Sequence, residues 1–196
     1  MKTLSKLFSV MKVQNLKKIF KSSYSRTDPN LEGYVKNKQL SGKRAQVYYN
    51  PKTNEAIVSH RGSQGIRDWV KTNPAMALGY EGGARFKHAQ KIQNKAEKLY
   101  GRENVTTVGH SLGGRLAEKV GQNSGKIITY NKAVTPRSLL TPTSFKQTDV
   151  RTKNDVVSSL GVFQRKKGGN IVINSNSNVI RAHGLPELNK IKNTII

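Results

Sequence analysis

A chain of 196 residues without a cysteine has no disulfide, no thiolate nucleophile and no Cys-type zinc site, and its length suits one domain around a single core. Its 35 Lys and Arg against 11 Asp and Glu leave a formal net charge of +24, which either keeps the protein soluble or meets an anionic partner: phospholipid headgroups, nucleic acid or an acidic polymer. The apolar runs fall far short of the roughly 18 residues of a membrane-spanning helix, so a bilayer crossing is excluded.

Residues 1–27 carry six Lys and one Arg and no acid, with Leu4, Leu7, Phe8, Met11, Leu16, Ile19 and Phe20 at near-helical spacing. The uninterrupted apolar centre of a secretory signal is missing. Three fates suit this pattern: a basic helix lying on anionic membrane, a transit-type leader, or a helix packed on the domain with its lysines outward. Removing residues 1–27 is expected to weaken liposome binding while sparing hydrolysis of a short soluble ester. Residues 22–45 are polar and read as linker and turns. The chain therefore divides into a basic N-terminal extension and linker, 1–43, and a folded domain, 44–196.

Within the domain, "AQVYYN", "PKTN" and "EAIVSHRG" predict a β-hairpin over about residues 45–60. "GARFKHAQKIQNKAEKLYG" predicts a helix with Phe86, Ala89, Ala96 and Leu99 on one face and Gly101 beyond its last turn. "VTTV" is a short strand, and Leu112, Leu116 and Val120 mark a second helix. "KIITYN", "TDVRTKNDVV" and "GNIVINSN" are further strands. Strands alternating with helices imply an α/β fold, a mostly parallel sheet with helices on both faces. There is no internal repeat and no glycine-rich phosphate loop.

The stretch "VTTVGHSLGGRLAEKV" places Ser111 between Gly109 and Gly113 at a strand-to-helix junction. A turn sharp enough to lift a serine hydroxyl clear of a sheet strains the serine backbone and leaves no room for side chains two residues away. The plainer alternative is a serine acting only as a helix N-cap. A nucleophilic serine needs a base, and the chain has four histidines. His110 follows the strand and should point away from the hydroxyl. His88 falls on a solvated helix face, and His60 ends a strand and stays a weak candidate. His183 follows the last strand, at the edge where catalytic groups of parallel sheets gather. Of the carboxylates, Asp155 closes its strand on that same edge whereas Asp149 opens it. Glu118 should face outward from the helix after the serine. The order Ser111, Asp155, His183 matches the chain order of an α/β-hydrolase triad.

With these residues in place the chain resembles the class 3 lipase family, the fungal lipase-like α/β-hydrolases. The likeness rests on "SHRGSQGIRDWVKT", on "VGHSLGGRLAEKV", and on "RTKNDVVSSL" with "IRAHGL", which together reach across residues 45 to 188. It implies a compact α/β-hydrolase-like fold in which the backbone N–H groups of Ser63 and Leu112 form the oxyanion hole. It also implies a lid at Gly65 to Val70, with Ile66 and Trp69 as its apolar residues. The chain departs from the family in having Arg115 where a small residue is usual and Ser158 in place of a proline. It also has "TYNKAVTP" for a tighter Phe-Gly-x-Pro, and no histidine before "YEGGARF".

The function expected is therefore hydrolysis of lipid esters, of lipase or phospholipase A type, with no metal and no organic cofactor. The partners expected are the lipid substrate and an anionic membrane surface. No recognisable nucleic-acid motif accompanies the charge. The alternative is a catalytically idle hydrolase fold serving as a basic membrane- or nucleic-acid-binding module.

Overall fold

The computed structural model describes residues 13–63 and 83–191. After a helix, α1 (Val13–Ser25), the sheet opens with β1 (Val35–Lys36), β2 (Ala45–Tyr49) and β3 (Ala56–His60), antiparallel to one another. The β2–β3 reversal is an Asx turn: Oδ1 of Asn50 accepts from the Lys52 N–H at 3.0 Å, and Asn54 takes a φ of 58°. From β3 onward the strands are parallel: β4 (Val105–His110), β5 (Lys126–Tyr130), β6 (Gln147–Thr152) and β7 (Gly169–Ile173). Spatial order follows chain order across the seven described strands. The crossovers carry α2 (Ala84–Tyr100), α3 (Leu112–Val120) and the short α4 (Pro136–Leu139). Beyond β7 lie α5 (Val179–His183) and a 3-10 segment, Leu185–Ile191.

Strand residues alternate between the two faces, so the sheet needs a cover on each. Tyr48, Ile57, Val108, Ile128, Tyr130, Val150 and Ile173 meet Leu16, Ile19 and Phe20 of α1, together with Leu188. Val47, Ala56, Val58 and Val105 meet Ala96 and Tyr100 of α2, and Ala89 packs on Leu116 and Val120 between α2 and α3. The expected α2 face is rotated. Ala89, Gln93, Ala96, Glu97 and Tyr100 form its buried stripe, whereas Leu99 lies on the opposite side and is 60% exposed.

For residues 13–25 the structure shows the third of the three fates considered for the basic segment. The boundary expected at residues 43 and 44 does not separate two bodies, because α1 and β1 are built into the same core and sheet. The linker expected over 22–45 likewise contains the last turn of α1 and all of β1. Cutting away residues 1–27 would strip three fully buried apolar side chains from the sheet, so this truncation should destabilise the domain and reduce soluble-ester hydrolysis rather than spare it. Phe20→Ala is expected to cost about 3–5 kcal/mol, read from the midpoint of chemical denaturation. Leu99→Ala should stay within about 0.5 kcal/mol. Equal effects of the two would mean that α1 does not cover the sheet.

Among the described residues no helix is long and apolar enough to cross a membrane.

Candidate active site

Ser111 sits between β4 and α3 with φ 59° and ψ −129°, a conformation that costs a non-glycine residue on the order of 1–3 kcal/mol. The surroundings over-determine it. The Ser111 N–H donates to the Tyr130 carbonyl at 3.0 Å, and its own carbonyl accepts from Gly114, Arg115 and Ala133 at 2.9, 3.2 and 3.1 Å. Both flanking glycines are required sterically. A Cβ on Gly109 would fall onto the Gly113 carbonyl, and one on Gly113 onto the His60 carbonyl. This geometry goes beyond that of a serine whose side chain merely caps a helix, and no capping bond is made by Ser111.

Asp155 and His183 are both buried and joined, Nδ1–H of His183 donating to Oδ1 of Asp155 at 2.7 Å. Asp155 is itself oriented by the N–H groups of Val157 and Ser158, each at 3.1 Å. With Nδ1 occupied as donor, the lone pair of His183 is on Nε2. That atom is buried and has no hydrogen-bond partner among the described residues. No hydrogen bond joins this atom to the Ser111 hydroxyl in this structure; where a serine and a histidine work as a pair, such bonds commonly close only when substrate is bound.

The end of β3 lies directly against the elbow. A Cβ on Gly62 would strike the Tyr24 hydroxyl and the His110 carbonyl and come within 3.2 Å of Cβ of Ser111, which puts the Gly62–Ser63 turn beside the hydroxyl. Leu112 is the first residue of α3, so its N–H lies outside the helix's own ladder and is available to a ligand. Ile66 and Trp69 lie outside the described residues. No group of three or more His, Asp or Glu side chains among the described residues is placed to hold a metal.

Three polar residues beside the site have partners that strand and helix patterning does not register. His110 is buried among Phe20, Tyr24, Tyr130 and His183, and its ring nitrogens meet the Tyr24 hydroxyl and the His183 carbonyl, each at 2.9 Å, rather than Ser111. Glu118 does not face solvent. It is buried against Arg115 and Lys132 and accepts from Gln147 at 2.9 Å, because the chain around Lys132 folds over that side of α3. Arg115, where the class 3 lipase resemblance leads one to expect a small residue, is accommodated by this pairing. Asp149 belongs to the same cluster, bound by Lys132 at 3.1 Å and by Lys166. Burial alone would raise the Asp149 carboxyl, but the two ammonium groups overcome it and hold it at about 2.

Sequence reasoning missed Arg85 and Asn131. The Arg85 guanidinium donates to the Arg61 and Gly62 carbonyls at 2.5 and 2.8 Å and so steadies the strand end beside the elbow. Asn131, at φ 42°, bridges the Thr152 N–H and the Ala182 carbonyl at 2.7 and 2.9 Å. Both work through backbone atoms, which leave no side-chain motif to detect.

His60 is held under α2 with its Nε2 3.2 Å from Oε1 of Gln93, inside a polar cluster that contains Glu97, Thr107 and Ser124. Burial lowers its imidazole to about 4, and burial followed by repulsion from His183 lowers that of His110 to about 3. Both values lie below the ordinary 6.5, so below that pH the unfolded chain binds protons that the folded chain refuses. The stabilisation is complete above about pH 6.5 and is lost as pH falls toward about 4 and then 3. Urea denaturation is expected to show stability falling steadily from pH 7 to pH 5, a window above the carboxylate range. A flat profile there would contradict buried neutral imidazoles at these two positions.

A family model described as a Tle-like phospholipase domain matches residues 9–155. No curated protein matches the chain. Among solved structures the chain is similar in fold to a lipase–propeptide complex of Rhizomucor miehei, at TM-score 0.56 and 16% identity over 90% of this chain and 74% of that one. It is also similar in fold to Lip2 lipase of Yarrowia lipolytica, at TM-score 0.53 and 11% identity over 82% of this chain and 77% of that one.

Proposed function

Since the chain belongs to the Tle-like phospholipase domain family, we propose that it is a serine carboxylic ester hydrolase acting on lipid esters, with Ser111, His183 and Asp155 as its triad. The observation that carries this reading is the buried His183–Asp155 pair whose remaining imidazole nitrogen has no partner among the described residues, on the sheet edge that also bears the strained Ser111 elbow. Oγ of Ser111 attacks the acyl carbonyl carbon as Nε2 of His183 takes its proton, and Asp155 holds the imidazole in the required tautomer. The Ser63 and Leu112 N–H groups receive the developing oxyanion, each such donor being worth about 3–4 kcal/mol. His183 then protonates the leaving alcohol, and a water molecule, deprotonated by the same ring, releases the fatty acid.

A net charge of +24 favours phospholipid at an anionic surface over a neutral droplet, each nearby Lys or Arg adding about 1 kcal/mol of attraction. Ile66 and Trp69 are the side chains proposed to meet the acyl chains.

Fatty-acid release from phosphatidylglycerol vesicles, triacylglycerol emulsion and a short soluble ester tests the proposal. The soluble ester and the anionic vesicles should both be hydrolysed, with the vesicle rate falling as salt is raised. Vesicle binding with no turnover of any ester would instead support the idle basic module.

A further inference from the structure

Three consecutive carbonyls of the segment that carries His183 are each gripped by one side chain. Nδ2 of Asn131 donates to the Ala182 carbonyl at 2.9 Å, Nε2 of His110 to that of His183 at 2.9 Å, and the Tyr130 hydroxyl to that of Gly184 at 2.8 Å. α5 is only five residues long and lies beyond the last strand, so the carbonyls at its end fall outside both the sheet ladder and the helix's own bonds. The middle grip comes from the residue immediately before Ser111.

The protonation of that ring follows from its partners. A carbonyl oxygen only accepts, so Nε2 of His110 must carry the hydrogen. Nδ1 of the neutral ring is then an acceptor, and the Tyr24 hydroxyl, 2.9 Å away, must be its donor. The depressed imidazole pKa agrees with this neutral form. The Tyr24 hydroxyl lies in turn against the Gly62 backbone, and burial raises its phenol to about 12 despite the hydrogen bond there. Rings of Phe20, Tyr130 and His183 stand 6.1, 5.3 and 4.9 Å from that of His110, leaving the imidazole boxed in.

We propose that Tyr24 and His110 are a positioning relay for the base: the Tyr24 hydroxyl sets the tautomer of His110, and the His110 Nε2–H holds the His183 carbonyl so that the imidazole of His183 stays aimed at Ser111. The inference rests on His183 being the base. Neither relay residue touches substrate. Through Tyr24, helix α1 acts on the site as well as on the core.

The test compares His110→Phe, which keeps a ring but no donor, with His110→Gln, which keeps an N–H at about the reach of Nε2, and with Tyr24→Phe. With the full chain and a short soluble ester, His110→Phe should lower kcat about tenfold at unchanged KM, the effect of one lost hydrogen bond to a buried carbonyl. His110→Gln should recover most of that loss. Tyr24→Phe should lower kcat in the same direction, and the Tyr24→Phe, His110→Phe pair should be no slower than His110→Phe alone. Wild-type kcat in both His110 variants, a glutamine as slow as the phenylalanine, or additive losses in the pair would each overturn the relay.

Histidine side-chain 15N–1H correlation spectra of the wild type read the same claim without turnover, even if His110→Phe does not fold. His110 should appear as the neutral Nε2–H tautomer, and an Nδ1–H tautomer overturns the proposal. A wild type that shows the Nε2–H tautomer but cleaves no ester would strike the hydrolase reading itself and reduce the contact to a structural one.

Discussion

Replacing His183 with alanine is expected to lower kcat/KM for a short soluble ester by about ten-thousandfold to a millionfold, the range seen when a serine hydrolase loses its base. Among the described residues, no other imidazole on this edge of the sheet is free to take the Ser111 proton. Nδ1–H of His183 is the group that Asp155 orients, and His110 is committed to the Tyr24 hydroxyl and the His183 carbonyl. Asp155→Asn should cost about ten-thousandfold by favouring the wrong tautomer. His60→Ala should cost stability rather than turnover, because its ring is bonded to Gln93 beneath α2. A large loss in His60→Ala with little loss in His183→Ala, both measured on folded protein, would reassign the base.

The second large effect is on stability. Lys132 lies in a buried cluster where it contacts Glu118, Asp149 at 3.1 Å and Gln164 at 3.0 Å. Lys132→Met fills the same space but strips both carboxylates of a shared counter-charge, a change that commonly costs about 3–5 kcal/mol. Arg115 and Lys166 each keep one of the two carboxylates and compensate only in part. Chemical denaturation should show the loss in Lys132→Met, whereas Lys98→Met on the exposed side of α2 should stay within about 0.5 kcal/mol. If the two substitutions prove equally mild, the cluster is not held by this ammonium.

The parts of the molecule legible in the sequence are those whose signal is local. The β2–β3 hairpin follows from strand alternation around an Asn-Pro turn, and the Ser111 elbow from two glycines that sterics alone require. The parallel order of β3 to β7 follows from the alternation of strands with helices. Other features depend on partners distant in the chain. The amphipathic pattern of α1 is plain in the sequence, but nothing local says whether its apolar stripe meets a bilayer or the chain's own sheet. Glu118 reads as solvent-facing because helical periodicity cannot register Lys132, which arrives from a separate loop. Tyr24 sits in a polar run that resembles linker, and Arg85 and Asn131 act on carbonyls. The departures from the class 3 lipase pattern are legible only as departures. Arg115, for one, becomes intelligible once Glu118 is found beside it.

Ester hydrolysis here requires that Ser111 be a nucleophile activated by His183. A fluorophosphonate probe, with the modified residue mapped by mass spectrometry, tests it most directly. One adduct on Ser111 is expected in the wild type, none in Ser111→Ala and a greatly slowed reaction in His183→Ala. A wild type that stays unlabelled while folded, or an adduct that persists unchanged in His183→Ala, would contradict it.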